Sequence, residues 1–439
     1  MLLILIWLTV ALVAGWTLYA YSTSGDIFHP LILTLPMYLF IYGYMPLNLI
    51  ETGELFSYVT EDQAVFAQGL AVAILIAFAW GCMRGVDSAD SLGRRVITIP
   101  DATTLRNGAV AMGGVGMLAW LYMMATTGGL AGAFGTAYGG AWSDSGYIRD
   151  SVYLLLAALL LLLSPTLCAP RSYFWWATVV AFATPWVLQA TLGARRGPTF
   201  VLAVGLGVSW YLARRQRPTI LFASTAGAAL GLLMLFLVSN RSAIYIGSDQ
   251  ELTTEKMTEV AVASESNEYI FSVGCITTAR ETGRYFWGRR VLAQVFVRPI
   301  PRAIWPTKYE DTVPELEQNS GVAGAGLETV MGWREVPGAA AAMVADTWVE
   351  FSWGAIPVCF GIGWAYGYWW RRAVTDGGRW GTQYVILLLL SVYLITQALE
   401  AFVFRLIILS VATEWIWRRS ERAGAATAMA DPAQSMGVA

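Results

Sequence analysis

Mostly apolar runs close to the roughly 20 residues that a helix needs to cross a bilayer recur along the whole chain. They cover approximately Leu2–Ala20, Leu31–Ile50, Val65–Met83, Gly108–Ala125, Val152–Cys168, Tyr173–Leu192, Thr199–Ala213, Ile220–Ser239, Phe351–Trp370, Gln383–Ala398 and Phe402–Trp417. Inside lipid each segment must satisfy its own backbone hydrogen bonds, so repeated runs of this length specify a helix bundle. The composition agrees: 56% of the 439 residues are hydrophobic and 13% are charged, against about a quarter charged in soluble domains. The expected fold is an all-α polytopic membrane bundle of about eleven transmembrane helices. The first run lacks a basic flank and a small-residue cleavage site, which predicts a retained helix.

Basic residues orient the bundle. Arg84, Arg94, Arg95, Arg106, Arg171, Arg214, Arg215, Arg217, Arg371, Arg372, Arg379, Arg418, Arg419 and Arg422 all fall on one face when eleven spans are counted. That face is cytoplasmic by the positive-inside rule. Residues 1–239 then hold eight spans, 240–345 form a large loop on the outer face, and 346–422 hold three more. The small-residue tail, 423–439, is expected to be disordered. Within the loop, Met257–Phe271 and Tyr285–Val297 mix apolar and charged residues and predict amphipathic helices.

Several function classes are disfavoured. A net charge of −2 gives no basic field for nucleic acid. One histidine, His29, and four cysteines without ligand spacing leave little for a metal centre. The sequence has no Walker motif, dinucleotide fingerprint, nucleophile elbow or Asp-x-Asp pair. That argues against ATP-driven pumping and against metal-dependent transfer from a sugar nucleotide, and no cofactor is expected. Only Lys256 and Lys308 among the 28 basic residues are lysine. Arginine forks onto phosphate oxygens, although a GC-rich genome gives the same bias.

Three constellations could carry chemistry. The turn Gly193-Ala194-Arg195-Arg196-Gly197-Pro198 puts two guanidinium groups on the outer face, at the depth of a lipid phosphate; snorkelling to headgroups is the alternative. The segment Arg298-Pro299-Ile300-Pro301-Arg302-Ala303-Ile304-Trp305-Pro306-Thr307-Lys308 is a proline-stiffened strap. Its cations Arg298, Arg302 and Lys308 could grip a diphosphate, with Trp305 as an interfacial anchor or sugar platform; a cap on the bundle is the other reading. Asp346 and Glu350, four apart, share a helix face at a membrane boundary. They could pair with arginines or activate a sugar hydroxyl. Glu400 and Arg405 read as a structural pair. The remaining charges of the loop, Arg290 among them, read as a solvated surface, from which Arg241, at headgroup depth, and Glu268 are further candidates.

The strap resembles the Pro-Arg-x-Leu-Trp-Pro-x-Lys-Pro signature of bacterial oligosaccharide repeat-unit polymerases, the Wzy-type O-antigen polymerases. Asp346-Thr347-Trp348-Val349-Glu350-Phe351 resembles that family's Glu-x-Tyr-x-Asn-Phe-Gly entry to a late helix, and the Arg195-Arg196 turn resembles its Gly-x-Arg turn. Tyr309 stands where the signature ends in proline. Asp346, Trp348, Glu350 and Ser352 stand for Glu, Tyr, Asn and Gly. The resemblance implies a C-type glycosyltransferase in the bacterial inner membrane. It would move a growing glycan from undecaprenyl diphosphate onto the next lipid-linked repeat unit, without a metal, at the outer face. It further implies that Arg195, Arg196, Arg241, Arg298, Arg302 and Lys308 bind diphosphate and that Glu350, Asp346 or Glu268 serves as base. Trp305 would stack on the glycan, and a chain-length regulator would be the protein partner. A ligase of the same superfamily would be expected to carry a histidine in the outer loop. A lipid-linked glycan flippase would need polar residues at mid-membrane depth.

Overall fold

Leucine, alanine, valine and aromatic residues without interior charge leave the backbone no better partner than itself, and the apolar runs become helices. The computed structural model describes residues 1–93, 99–135, 146–164, 172–214, 216–254, 267–301, 304–313, 326–334 and 339–430. The described residues contain helices and turns and no strand. Among the described residues, six helices are long and apolar enough to cross a membrane: Leu2–Ser24, Pro30–Glu51, Glu61–Ser91, Ala102–Thr126, Ile220–Leu237 and Gly378–Thr396. Helices at Tyr173–Thr191, Arg196–Ala213, Ala355–Thr375 and Leu399–Ala430 cover four further expected runs. Leu3, Ile4, Trp7, Leu18, Leu221, Phe222 and Leu232 point outward, an apolar surface suited to lipid and not to water.

The chain divides into two compact units that interleave in sequence. One comprises Met1–Ser88, Thr258–Tyr368 and Leu390–Phe404; the other comprises Ala89–Met257, Trp369–Leu389 and Arg405–Ala439.

The first unit is built around tight helix packing. Helices Glu61–Ser91 and Ala355–Thr375 meet through two glycine pairs, each spaced by four. A Cβ at Gly81 or Gly85 would collide with the carbonyl oxygen of Phe360 or Trp364, and one at Gly363 or Gly367 with that of Phe78 or Cys82. Absence of side chains on both partners lets the backbones touch. Helix Glu268–Thr282 packs against Ala342–Phe351 and Gly326–Met331. It is buried along its whole length from Tyr269 to Ala279. Of the expected amphipathic helix at Met257–Phe271 only the end from Asn267 is described, and there it is the buried start of helix Glu268–Thr282, not a surface helix. Residues 255–266 are outside the described set. The interior is partly polar. Tyr38 Oη donates to Ala71 O, Tyr42 Oη pairs with Ser272 Oγ, and Gln68 Nε2 donates to Thr9 Oγ1 and Tyr42 O.

In the second unit, Ala102–Thr126 packs on Tyr153–Leu162, and Arg196–Ala213 packs on both Tyr173–Thr191 and Gly378–Leu389. Asp101 caps the first of these by accepting the Thr104 N–H. The helix that opens at Leu399 continues to Ala430, into the stretch expected to be a disordered tail. Its alanines, the strongest helix formers, account for the extension.

Candidate functional site

Helix Ala342–Phe351 places Asp346 and Glu350 one turn apart, both fully buried. It stops at Ser352, whose φ is +52°, and its last carbonyls are taken by a neighbouring segment. Phe286 N–H donates to Val349 O at 3.0 Å and Trp287 N–H to Glu350 O at 2.6 Å. Gly288, at φ +81°, can turn its own N–H onto Glu350 Oε2 at 2.9 Å. That left-handed turn opens the short helix Arg289–Leu292 and points Arg290 inward.

Arg290 lies at the centre of the cluster, with its side chain 1% exposed. Its Nη2 donates to Asp346 Oδ1 at 2.9 Å, and its Nε donates to Glu400 Oε2 at 3.2 Å. Glu350 Oε1 stands 3.3 Å from the same Nε. Asp346 Oδ2 accepts the Leu399 N–H at 2.6 Å, which anchors the start of the last helix. Glu350 Oε1 and Arg290 Nη1 are buried with no hydrogen-bond partner. The side chain of Glu400 is 29% exposed, so the cluster reaches the surface there. Arg298, over the Phe404 ring at 5.0 Å, acts electrostatically on Glu400 and favours its ionised form.

Three carboxylates around one guanidinium leave excess negative charge in a largely buried site. Glu350 precedes the ninth apolar run and Glu400 precedes the eleventh. Burial pushes Glu350 up to about 7; Arg290 opposes the shift, and Asp346 and Glu400 reinforce it. Glu400 is also raised, again by burial first. Burial acts to lower Arg290, but the three carboxylates outweigh it and raise its pKa above the ordinary arginine value. A carboxyl group near neutrality beside a fixed cation can take up and release a proton.

The expected site residues are placed as follows. Asp346 and Glu350 come together as their spacing predicts. Arg290 joins them from the supposedly solvated set, and Glu400 bonds to it instead of to Arg405, whose Nε donates to Tyr153 Oη. No local pattern marks Arg290, because two of its hydrogen-bond partners lie 56 and 110 residues downstream. Lys308 is buried, and its Nζ donates to the carbonyls of Val297, Arg298 and Ile300 at 3.2, 2.9 and 2.5 Å. Its charge therefore ties the strap to the end of the preceding π-turn, Ala293–Val297. Trp305 Nε1 donates to Asp311 Oδ2 at 2.6 Å, an oxygen that also accepts from Thr307 Oγ1. Arg302 lies outside the described residues. Glu268 opens helix Glu268–Thr282 behind the Asn267 cap and is half-buried.

The other candidates belong to the second unit. Arg195 is the N-cap of helix Arg196–Ala213, and both arginines are half-buried. The tight turn before them places Ala194 at φ +44°. Arg241 follows helix Ile220–Ser239, and its Nε is buried without a hydrogen-bond partner.

No family model, curated protein or solved structure matches the chain.

Proposed function

We propose that the protein is a lipid-carrier-dependent glycosyltransferase of the repeat-unit polymerase type, spanning a bacterial inner membrane about eleven times and acting at its outer face. The observation that supports this reading best is the open edge of the buried cluster. There a carboxylate coupled to a proton acceptor near neutrality, Glu400 with Glu350, lies within electrostatic reach of an arginine, Arg298. Glycosyl transfer from a lipid diphosphate needs those two things side by side.

In the proposed reaction a hydroxyl oxygen of the lipid-linked acceptor attacks the anomeric carbon of the donor glycan. The bond from that carbon to the diphosphate oxygen breaks, and undecaprenyl diphosphate leaves with the electron pair. The hydroxyl proton enters at Glu400 and is held by the coupled Glu350–Glu400 pair. Asp346, with both oxygens engaged, positions Arg290 and takes no proton in this scheme. Arg298 meets the charge that develops on the diphosphate. Arg195, Arg196, Arg241 and Arg302 are assigned to diphosphate binding on the strength of the resemblance alone.

Helix Glu61–Ser91 supports the orientation. Its 31 residues span about 46 Å, against a hydrocarbon thickness of about 30 Å. The amino terminus pairs with Glu61 at one end, and Trp333 of the late loop donates to Tyr58 O nearby. Arg84 belongs to the other end, where a cytoplasmic basic residue is expected.

The test uses purified protein in proteoliposomes supplied with lipid-linked repeat units from its host. A ladder of longer lipid-linked chains is expected, with Glu350→Gln and Arg298→Ala each cutting the rate by about a hundredfold. Redistribution of substrate across the bilayer without elongation would replace this reading by a flippase. Transfer to an acceptor that carries no lipid diphosphate would replace it by a ligase.

A further inference from the structure

Trp287 is 64% exposed, yet its backbone holds φ at +53°, a region bulky residues enter only where the surroundings enforce it. Here the enforcement is visible: backbone bonds from Phe286, Trp287 and Gly288 to Val349 O, Glu350 O and Glu350 Oε2. None of these bonds uses the indole. The three residues that bind the end of the carboxylate-bearing helix, Gly288 among them on the Glu350 carboxylate itself, therefore hold a large flat ring beside it.

The ring is one end of an aromatic ladder. Trp287 meets Tyr285 edge-on at 5.9 Å, Tyr285 meets Trp348 at 5.9 Å, and Trp348 meets Trp353 at 5.1 Å. Trp348 is buried on the helix between Asp346 and Glu350, while Trp353, 63% exposed, forms the other end. Two exposed indoles thus flank the helix that carries both carboxylates. A pyranose ring suits such a surface: its C–H face is apolar and lies on an indole, while its hydroxyls turn toward charged groups.

We propose that Trp287 is the sugar-stacking residue of this site, holding the acceptor ring with a hydroxyl toward the Glu350–Glu400 edge, and that Trp353 is a second platform along the glycan. The inference rests on the glycosyltransferase reading above. It gives the stacking role to Trp287, whose ring is exposed, rather than to Trp305, whose ring is half-buried.

The experiment compares wild type, Trp287→Leu and Trp287→Phe in proteoliposomes, varying lipid-linked repeat unit as acceptor at fixed donor. Leucine keeps an apolar anchor without a ring face; phenylalanine keeps a face. The Leu variant is expected to raise the acceptor KM about tenfold with kcat little changed, and the Phe variant to stay close to wild type. Trp353→Leu should raise KM for multi-repeat acceptors more than for a single repeat. An unchanged KM in Trp287→Leu, beside an elongating wild type, overturns the stacking role and leaves the transferase reading standing. The same holds if the Leu variant loses only membrane yield, which marks an interfacial anchor. A wild type that does not elongate at all removes both.

Discussion

Arg290 Nε carries one hydrogen and has two carboxylate oxygens at nearly equal distance, Glu400 Oε2 at 3.2 Å and Glu350 Oε1 at 3.3 Å. The hydrogen goes to Glu400, and a proton on Glu350 relieves the shortage. Because Glu350 is raised from 4.5 to about 7, the folded state holds a proton that the unfolded state has already lost in that window. This contribution to stability is fully present below about 4.5 and disappears as pH rises through about 7. Melting temperature should therefore fall across that range. Glu350→Gln should flatten the fall, since its amide still accepts from Gly288 and does not titrate, while transfer falls about a hundredfold. Transfer in the wild type should show the opposite trend, rising with pH through an acid limb near 7, because the base must be ionised. Lys308 poses a second residue-scale question. Lys308→Met leaves the carbonyls of Val297, Arg298 and Ile300 without their donor, at a cost of about 2 kcal/mol or more, so melting temperature should drop. If the ammonium served a lipid headgroup instead, the acceptor or donor KM would rise with no such drop. The spacing of Asp346 and Glu350 made both legible in the sequence. Arg290 was not legible, because its burial depends on partners far along the chain and on the left-handed turn at Gly288.

Helix identity is legible where apolar runs are long, since lipid and a protein interior both demand internally satisfied backbone. Which helices meet is a different matter. Gly81 with Gly85, and Gly363 with Gly367, are visible as spacings, but their pairing links segments nearly three hundred residues apart and carries no periodic signal. The structure makes a sharp prediction from it. Gly85→Leu or Gly367→Leu drives a side chain into the partner's backbone carbonyl, which no rotamer change relieves, so the helices must separate at a cost of about 1–3 kcal/mol or more. Gly69 and Gly361 lie on the same two helices with nothing within 4 Å of an added Cβ. Gly69→Ala and Gly361→Ala should melt at or slightly above the wild-type temperature, because alanine is the better helix former. A destabilisation common to all four would show that the backbone contact does not set Gly85 and Gly367 apart from Gly69 and Gly361. The strap illustrates the same division: its prolines announce rigidity, but only the fold shows Lys308 turned inward to hold it.

On the scale of the molecule, the sequence reads as consecutive blocks, whereas the structure's first unit gathers Met1–Ser88, Thr258–Tyr368 and Leu390–Phe404. Contacts between distant segments create that grouping, and hydropathy does not report them. The grouping nonetheless supplies a test of orientation. Arg280 sits over the Phe66 ring at 4.2 Å, near the Glu61 end of a helix about 46 Å long, and Asp87 is exposed near the opposite end. Glu281 and Glu54 are exposed as well. Cys82, Cys275 and Cys359 are buried, so after Cys168→Ser a single introduced cysteine should dominate labelling by an impermeant maleimide. Glu54→Cys and Glu281→Cys should label in right-side-out vesicles and be protected in inverted ones, and Asp87→Cys should do the reverse. The reverse pattern at all three sites would put Glu350, Glu400 and Arg298 on the cytosolic surface. The outer-face polymerase reading would then fail, because the acceptor hydroxyl and the leaving diphosphate would lie across the bilayer from the groups assigned to them.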